Sequence, residues 1–278
     1  MQLDQIWQYP VKSMRGSNVT HGALATNGVV GDRMWALRDD QRGAIASARR
    51  IKSLSRLEAS FDSDGNGVSV RLPDGSTVCN TDADANARLS AELDHQVSLW
   101  AKEPISNLDH YRRGRPDSDD MMAELRSIFG RLEDEPLPDL SIFPPEMLEF
   151  EYPPGNYFDC YPLMIMSTSA LAALRDALPN SAIDERRFRP SLVIDTGDAV
   201  GHPEFKWVGR RLAIGGAEVQ ILSTCPRCAA VANEFAPELP RDSEVLRHVV
   251  RDLDQNVGVY ATVTRAAPIT IGDSVEFV

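Results

Sequence analysis

Short strand-like runs separated by turn residues fill the N-terminal third of the chain, and they constrain its fold more than any other feature. Residues 34–37 and 44–48 flank one turn, and residues 57–61 and 68–72 flank another, at residues 62–67, that is rich in Asp and Gly. Short strands at this spacing are typical of a β-meander or a small barrel. The N-terminal third is therefore predicted to be β-rich and barrel-like.

The C-terminal part of the chain mixes strands with helices. A hydroxyl among residues 167–169 can cap a helix that runs to Leu178, because it accepts the free N–H groups of the first turn. Gly215-Gly216 marks a hairpin, and residues 242–253 carry apolar side chains on one helical face. The whole chain is thus predicted to be mostly β with α+β elements.

Residues 113–154 differ in amino-acid composition from the sequence on either side of them. A basic run is followed by an acidic run, and repeated prolines interrupt any long element apart from one helix predicted near residues 121–132. These features predict a connecting region. The chain is accordingly divided into a domain over residues 1–112, the connecting region over 113–154 and a second domain over 155–278.

The net charge of −12 argues against a general nucleic-acid-binding protein, whose affinity depends on a basic surface. It is compatible with one phosphorylated ligand in a local basic pocket. Most of the 29 basic residues are arginine, which binds phosphate in a fork geometry. No apolar run of about 18 residues occurs, which predicts no membrane-spanning helix, and no signal-peptide pattern follows Met1. A cytoplasmic location is expected.

Two thiols lie three positions apart in Cys225-Pro226-Arg227-Cys228, just after a strand-like run. Such a pair can form a redox disulfide, supply half of a zinc site, or present one thiolate to a metal. A zinc site would need two further ligands, and the sequence has no second CxxC and no HExxH. Arg227 would favour a neighbouring thiolate if it points the same way. Two buried, inert thiols are the alternative.

Basic and polar residues also cluster where strands begin or end. Lys12 and Ser13 follow a strand and could hold a phosphate, although an ordinary polar loop has the same composition. Residues 186–189 place three guanidinium groups before another strand, where they would either bind an anionic ligand or lie on a solvated surface. Asp32-Arg33 is compatible with a surface ion pair. Cys160 is either a reactive thiol or a buried one.

Seven motifs, taken in order along nearly the whole chain, resemble the MOSC-domain proteins that carry an N-terminal MOSC β-barrel domain. This group contains the mitochondrial amidoxime-reducing component and its bacterial relatives. The motifs are YPVKSMRG at Tyr9–Gly16, GDRMW at Gly31–Trp35, SAR at Ser47–Arg49, FDCYPLMIMSTSAL at Phe158–Leu171, RFRPSLVID at Arg187–Asp195, CPRC at Cys225–Cys228 and IGDSVEF at Ile271–Phe277. The resemblance implies an N-terminal β-barrel-like domain followed by a MOSC β-barrel domain with flanking helices.

The resemblance also implies a molybdenum cofactor, a pyranopterin whose dithiolene holds the metal. Its metal ligand from the protein would be Cys228, assisted by Arg227. The residues implied to bind the cofactor are Lys12, Ser13, Arg33, Asp159, Cys160, Tyr161, Arg189 and Ser191. Ser191 stands where the family often has asparagine, and Cys160 where it tends to have threonine.

The activity implied by the resemblance is reduction of small N-hydroxylated compounds, with electrons from a separate ferredoxin- or flavin-type protein. No nucleic acid and no membrane are expected among the partners. An alternative within the same family is a sulfur carrier that holds a persulfide on Cys228 for assembly of metal–sulfur cofactors. A binding module with a regulatory disulfide between Cys225 and Cys228 is a third hypothesis.

Overall fold

A computed structural model of the chain describes residues 1–62, 65 and 67–278. Strands are the main elements, and most of them are short. In chain order the strands are β1 (Gln2–Gln8), β2 (Ser17–Val19), β3 (His21–Ala25), β4 (Gly28–Val29), β5 (Trp35–Asp39), β6 (Ala44–Ile45), β7 (Glu58–Phe61), β8 (Val68–Arg71), β9 (Thr77–Cys79), β10 (Val97–Ala101), β11 (Leu163–Ser167), β12 (Leu192–Asp195), β13 (Arg211–Ile214), β14 (Ala217–Pro226), β15 (Asn256–Arg265), β16 (Ala267–Thr270) and β17 (Val275–Phe277).

Among the described residues, helices are fewer than strands and occur in both halves of the chain. The α-helices are α1 (Ala85–Leu93), α2 (Leu108–Tyr111), α3 (Met121–Phe129), α4 (Thr168–Ala177) and α5 (Ser243–Asp252). Short 3₁₀ helices cover Lys52–Arg56, Leu140–Ile142, Pro145–Leu148, Glu185–Arg187, Pro203–Trp207 and Ala229–Ala232. In the part of the chain that the structure describes, no helix combines the length and the apolar character needed to span a bilayer.

The largest sheet has eight strands in the order β17-β13-β14-β15-β11-β12-β1-β2. β11 and β12 run parallel, and the other neighbouring strands run antiparallel. A bridge between Gln2 and Ser274, and a hydrogen bond of 2.9 Å from the Leu3 N–H to the Asp273 carbonyl, place β1 beside the start of β17. The sheet is therefore curved so that β1 approaches β17, the strand at the other edge. The first strand of the chain thus lies beside strands from its C-terminal half.

Both faces of this sheet are buried. Leu163 and Ile165 of β11 join one apolar cluster, whereas Met164 and Met166 join another, because successive side chains of a strand point to opposite faces. Side chains from α4 and α5 cover the second cluster. A third cluster lies in the N-terminal part, between α1 and two smaller sheets of order β10-β5-β6 and β7-β8-β9. β16, β3 and β4 form a further small sheet.

The predicted fold class is confirmed, and so are the hairpins β5–β6, β7–β8 and β13–β14. The predicted turn between β7 and β8 includes Ser63, Asp64 and Asn66, which lie outside the described residues. Ser167 caps α4, since its hydroxyl accepts from the Ala170 N–H at 3.1 Å. The division into three regions stays a prediction.

The predicted helix near residues 121–132 is α3, which ends earlier, at Phe129. Gly130 follows it with φ +63°, a left-handed conformation that ends a helix and that glycine adopts without strain. The sequence patterns did not identify β2, β3, β4, β10 or α2. These elements are short, and their sequences lack clear hydrophobic periodicity.

Candidate functional site

One cleft contains all ten residues singled out from the sequence motifs. The space between its lining side chains is about 1040 Å³ when the solvent at its open mouth is included. The ten residues in its lining are Lys12, Ser13, Arg33, Asp159, Cys160, Tyr161, Arg189, Ser191, Arg227 and Cys228.

Loops at the ends of five strands bring these residues together. Residues 12–13 follow β1, and Arg33 lies between β4 and β5. Residues 159–161 precede β11, residues 189–191 precede β12, and residues 227–228 follow β14. Side chains carried by loops on a rigid sheet are typical of binding sites.

Three non-glycine residues of the cleft have left-handed backbone conformations. Their φ angles are +67° at Ser13, +49° at Arg33 and +56° at Arg189. Each such conformation costs about 1–3 kcal/mol and persists only where surrounding contacts hold it. Hydrogen bonds hold two of them, from the Arg33 N–H to the Tyr9 carbonyl at 2.7 Å and from the Arg189 N–H to the Glu185 carbonyl at 2.9 Å. Half of the six non-glycine residues with positive φ in the described part of the chain lie in this cleft, and strained backbone of this kind is common at functional sites.

Lys12 is a buried ammonium at the base of the cleft, with a relative exposure of 2%. It donates to the Asp159 carboxylate at 2.6 Å and to the Tyr157 carbonyl at 2.9 Å, and it lies 3.6 Å from the centre of the Tyr152 ring. Burial lowers the pKa of Lys12 to about 8, although Asp159 opposes this effect. Loss of hydrating water raises the pKa of Asp159, but Lys12 and Arg49 outweigh it and hold that pKa well below its usual range.

Two guanidinium groups, from Arg33 and Arg189, lie against the ring of Tyr9, at 5.3 and 4.2 Å from its centre. Arg33 pairs with Asp32, whose carboxylate also accepts from the Tyr9 N–H at 2.8 Å. Arg189 donates one N–H to the Met14 carbonyl. Burial and the neighbouring Arg33 lower the pKa of Arg189 to about 10, and its second terminal nitrogen, Nη2, is buried without a hydrogen-bond partner.

The two thiols of the CPRC motif have different environments. Cys225 is 1% exposed, whereas Cys228 is half-buried and precedes the 3₁₀ helix Ala229–Ala232. The Arg227 guanidinium donates to the Cys225 sulfur at 2.9 Å and to the Phe188 carbonyl at 2.6 Å, and its Nε is buried without a partner. Burial raises the pKa of Cys225, and Arg227 only partly offsets that rise. Cys228 is therefore the accessible thiol, and Arg227 contacts the other one.

The remaining predicted residues are held by local contacts. Burial raises the pKa of the Cys160 thiol, which keeps it neutral and unreactive. The Tyr161 hydroxyl donates to the Ile142 carbonyl at 2.8 Å. The buried Ser191 accepts from the Met164 N–H at 3.3 Å through its hydroxyl oxygen.

The two halves of the chain match two family domains. The MOSC N-terminal beta barrel domain matches residues 1–110, and the MOSC domain matches residues 154–276. The chain is a MOSC-domain protein with an N-terminal MOSC β-barrel domain. The order of these matches along the chain is the one that the seven sequence motifs predicted.

Curated relatives of this MOSC protein include mitochondrial amidoxime-reducing component 1 of Homo sapiens, 26% identical over 244 residues, and mitochondrial amidoxime reducing component 2 of Macaca fascicularis, 27% identical over 253 residues. Each alignment covers 81% of this chain, and the chain spans 64% of the length of each relative. Among solved structures, the YuaD protein from Bacillus subtilis has a TM-score of 0.45 and 10% identity, covering 99% of this chain and 94% of that chain.

The donor set of the cleft in this MOSC protein fits a ligand that combines a phosphate with a soft metal. An unpartnered buried polar group costs about 1–3 kcal/mol, and both Arg189 and Arg227 carry one. An anion that accepted from them would remove that cost. The Cys228 thiolate would suit a metal already held by sulfur. Among the described residues, no group of three or more His, Cys, Asp or Glu side chains is arranged to hold a metal ion.

The cleft of this MOSC protein also contains residues that were not singled out from the sequence. Arg49 donates to the Tyr152 hydroxyl at 3.0 Å, and the SAR motif that contains it was the available signal. Tyr260 contributes a ring 5.3 Å from that of Tyr161. Phe129, Phe143 and Met147 of the predicted connecting region also line the cleft, and no motif marked them.

Proposed function

We propose that this MOSC protein binds a molybdenum cofactor in the cleft and reduces small N-hydroxylated compounds. Two electrons would come from a separate ferredoxin- or flavin-type donor protein. With two protons they convert an N–OH group into N–H and release water, so that an amidoxime becomes an amidine.

One arrangement supports this proposal above all others. An accessible thiol, Cys228, shares a cleft with buried guanidinium groups that have unpartnered N–H donors. This combination matches the two chemical ends of a phosphorylated pyranopterin that carries molybdenum. The similarity to two proteins named amidoxime-reducing components favours N-hydroxylated substrates.

The basic residues would hold the phosphate of the cofactor. Arg189 would donate through its free Nη2, and Lys12 would contribute a positive charge that Asp159 keeps in place. The Ser191 hydroxyl, whose oxygen accepts from the Met164 N–H, would donate its proton toward the same ligand. The left-handed backbone at Ser13 fixes the direction of the chain just after Lys12.

The thiol loop would hold the other end of the cofactor. Cys228 would ligate the metal, and Arg227, anchored by Cys225 and the Phe188 carbonyl, would keep the loop in place. When bound, the cofactor supplies the two-electron reduction that cleaves the N–O bond, while the protein supplies position and charge.

The assay compares wild type with Cys228→Ala in a host that makes the cofactor. Reduction of an amidoxime with a chemical electron donor is expected in the wild type and absent from Cys228→Ala. Cys79→Ala is the matched control, because Cys79 lies on β9, outside the cleft, and its loss should leave the activity within about twofold. Full activity of Cys228→Ala would contradict the proposal. So would an inactive, cofactor-loaded wild type that instead accepts a persulfide on Cys228 from a cysteine desulfurase.

A further inference from the structure

Residues 111–153 lie outside both matched family domains. This segment, named the inserted segment after its place between the two matches, begins and ends at one place in the fold. A bridge joins Arg112 to Phe150, and the Glu151 N–H donates to the Tyr111 carbonyl at 2.9 Å. The two ends of the segment therefore lie side by side, between the two domain matches.

The inserted segment contributes an apolar wall to the cleft, formed by Phe129, Phe143 and Met147. The Phe129 and Phe143 rings are 6.2 Å apart at their centres, with 36° between their planes. Phe129 is buried, whereas Phe143 and Met147 are half-buried and retain surface for a ligand. Aromatic rings and a methionine thioether favour contact with flat apolar groups.

Several contacts fix this wall beside the thiol loop. Arg131 donates to the Arg227 carbonyl at 3.0 Å and to the Gln255 side-chain oxygen at 3.1 Å. Gln255 in turn accepts from the Arg227 N–H at 2.8 Å through its own carbonyl. Gly130 lies so close to Ala229 that an added Cβ would come within 3.1 Å of the alanine Cβ. Gly130 and Arg131, which follow Phe129 in the chain, thus contact Ala229 and Arg227, the residues on either side of Cys228.

The wall and the basic residues give the cleft two chemically different parts. Arg33 and Arg189 lie against the Tyr9 ring and Lys12 lies over the Tyr152 ring, so an anion is favoured in this part of the cleft. The wall carries no charge, and Gly130, which follows Phe129, packs against Ala229 next to the accessible thiol. A neutral compound with a flat apolar substituent would place that substituent on the wall and its polar end toward Cys228.

Building on the proposed function, we propose that Phe143 and Met147 form a substrate-binding surface beside Cys228 that selects N-hydroxylated compounds with a planar apolar substituent. The surface recognises the substituent, and the cofactor side of the cleft acts on the N–OH group that all such substrates share.

The test uses benzamidoxime and acetamidoxime, which carry the same reacting group on a phenyl ring or a methyl group. The preference for the phenyl compound is measured as the ratio of the two KM values. Phe143→Ala should lower this preference by about tenfold, and Met147→Ala should lower it by a smaller factor. The ratio of kcat values should stay within about twofold.

Leu148→Ala is the matched control, since Leu148 adjoins Met147 in the chain but is 86% exposed and lies outside the cleft lining. Its KM ratio should equal that of the wild type. Equal changes in KM for both compounds, or no change in either wall variant, would overturn the assignment. Because Met147 is half-buried on a short 3₁₀ helix, its variant keeps the test available if Phe143→Ala does not fold.

Equilibrium binding separates this inference from the proposed function. Both amidoximes are titrated calorimetrically into the oxidised, cofactor-loaded protein without an electron donor, so no turnover occurs. Tighter binding of benzamidoxime that Met147→Ala weakens supports the wall even if no reduction is ever detected. Reduction of both compounds, with binding that neither wall substitution affects, would remove the wall and leave the proposed function standing.

Discussion

The Lys12 ammonium should make the stability of the cofactor-free protein depend on pH in an unusual way. Burial lowers its pKa from the ordinary 10.5 to about 8 in the folded state. Between these two pH values the unfolded chain binds more protons than the folded one, so stability rises with pH through this window. Below about pH 8 the full cost of the buried charge is present. Since one pKa unit is worth about 1.4 kcal/mol, that cost is about 3 kcal/mol.

Comparison with Lys12→Met isolates this effect. The free energy of unfolding, from urea titrations at pH values from about 7 to about 11, should rise by about 3 kcal/mol in the wild type relative to the variant. Other groups that titrate in this range are common to both proteins, so most of their contribution cancels. Asp159 stays ionised throughout and contributes a constant difference.

Lys52→Met is the control, because Lys52 is exposed on the 3₁₀ helix Lys52–Arg56. Its stability difference from the wild type should change by less than about 0.5 kcal/mol over the same range. Parallel curves for the wild type and Lys12→Met would refute the description of Lys12 as a buried charge. Because a bound phosphate favours the charged ammonium, phosphate affinity should also decrease as pH rises past about 8.

Two substitutions test how the fold supports the cleft. Ser167→Ala removes both the cap of α4 and the hydroxyl that donates at 2.5 Å to the fully buried Glu204. The free energy of unfolding, measured in urea, should fall by about 2–4 kcal/mol. A fall of less than about 1 kcal/mol would mean that water or another group replaces the hydroxyl. Gly130→Ala places a Cβ within 2.7 Å of Leu246 and 3.1 Å of Ala229 at a positive φ. The free energy of unfolding should fall by about 1–3 kcal/mol, and the cofactor content should decrease. If neither the stability nor the cofactor content changes, the wall tolerates the added methyl group.

Elements with a clear local signal could be predicted from the sequence. Gly215-Gly216 supplies the tight turn between β13 and β14, and Ser167 supplies the cap of α4. β10 was missed although Val97 and Leu99 alternate with polar Ser98, because Trp100 and Ala101 end the alternation after three residues. The pairing of β1 with β12 joins residues almost 190 positions apart, and no local pattern contains that information.

The candidate site likewise contains residues that the sequence predicted and residues that only the structure revealed. Its charged and thiol residues lie in motifs that resemble a family, so their convergence on one cleft was expected. Phe143 and Met147 lie in a proline-rich stretch without periodicity, and only the return of the inserted segment onto the thiol loop places them in the cleft. The contact between Arg227 and Cys225 likewise depends on side-chain direction, which spacing along the chain does not determine.

The most direct test of a cofactor in the cleft is the molybdenum and pterin content of the purified wild type and of Cys228→Ala, from a host that makes the cofactor. Molybdenum should be measured by mass spectrometry and pterin by fluorescence after oxidation. We expect about one of each per wild-type chain and a large loss of molybdenum from Cys228→Ala. Zinc in place of molybdenum, or neither metal nor pterin in the wild type, would contradict the proposed cofactor.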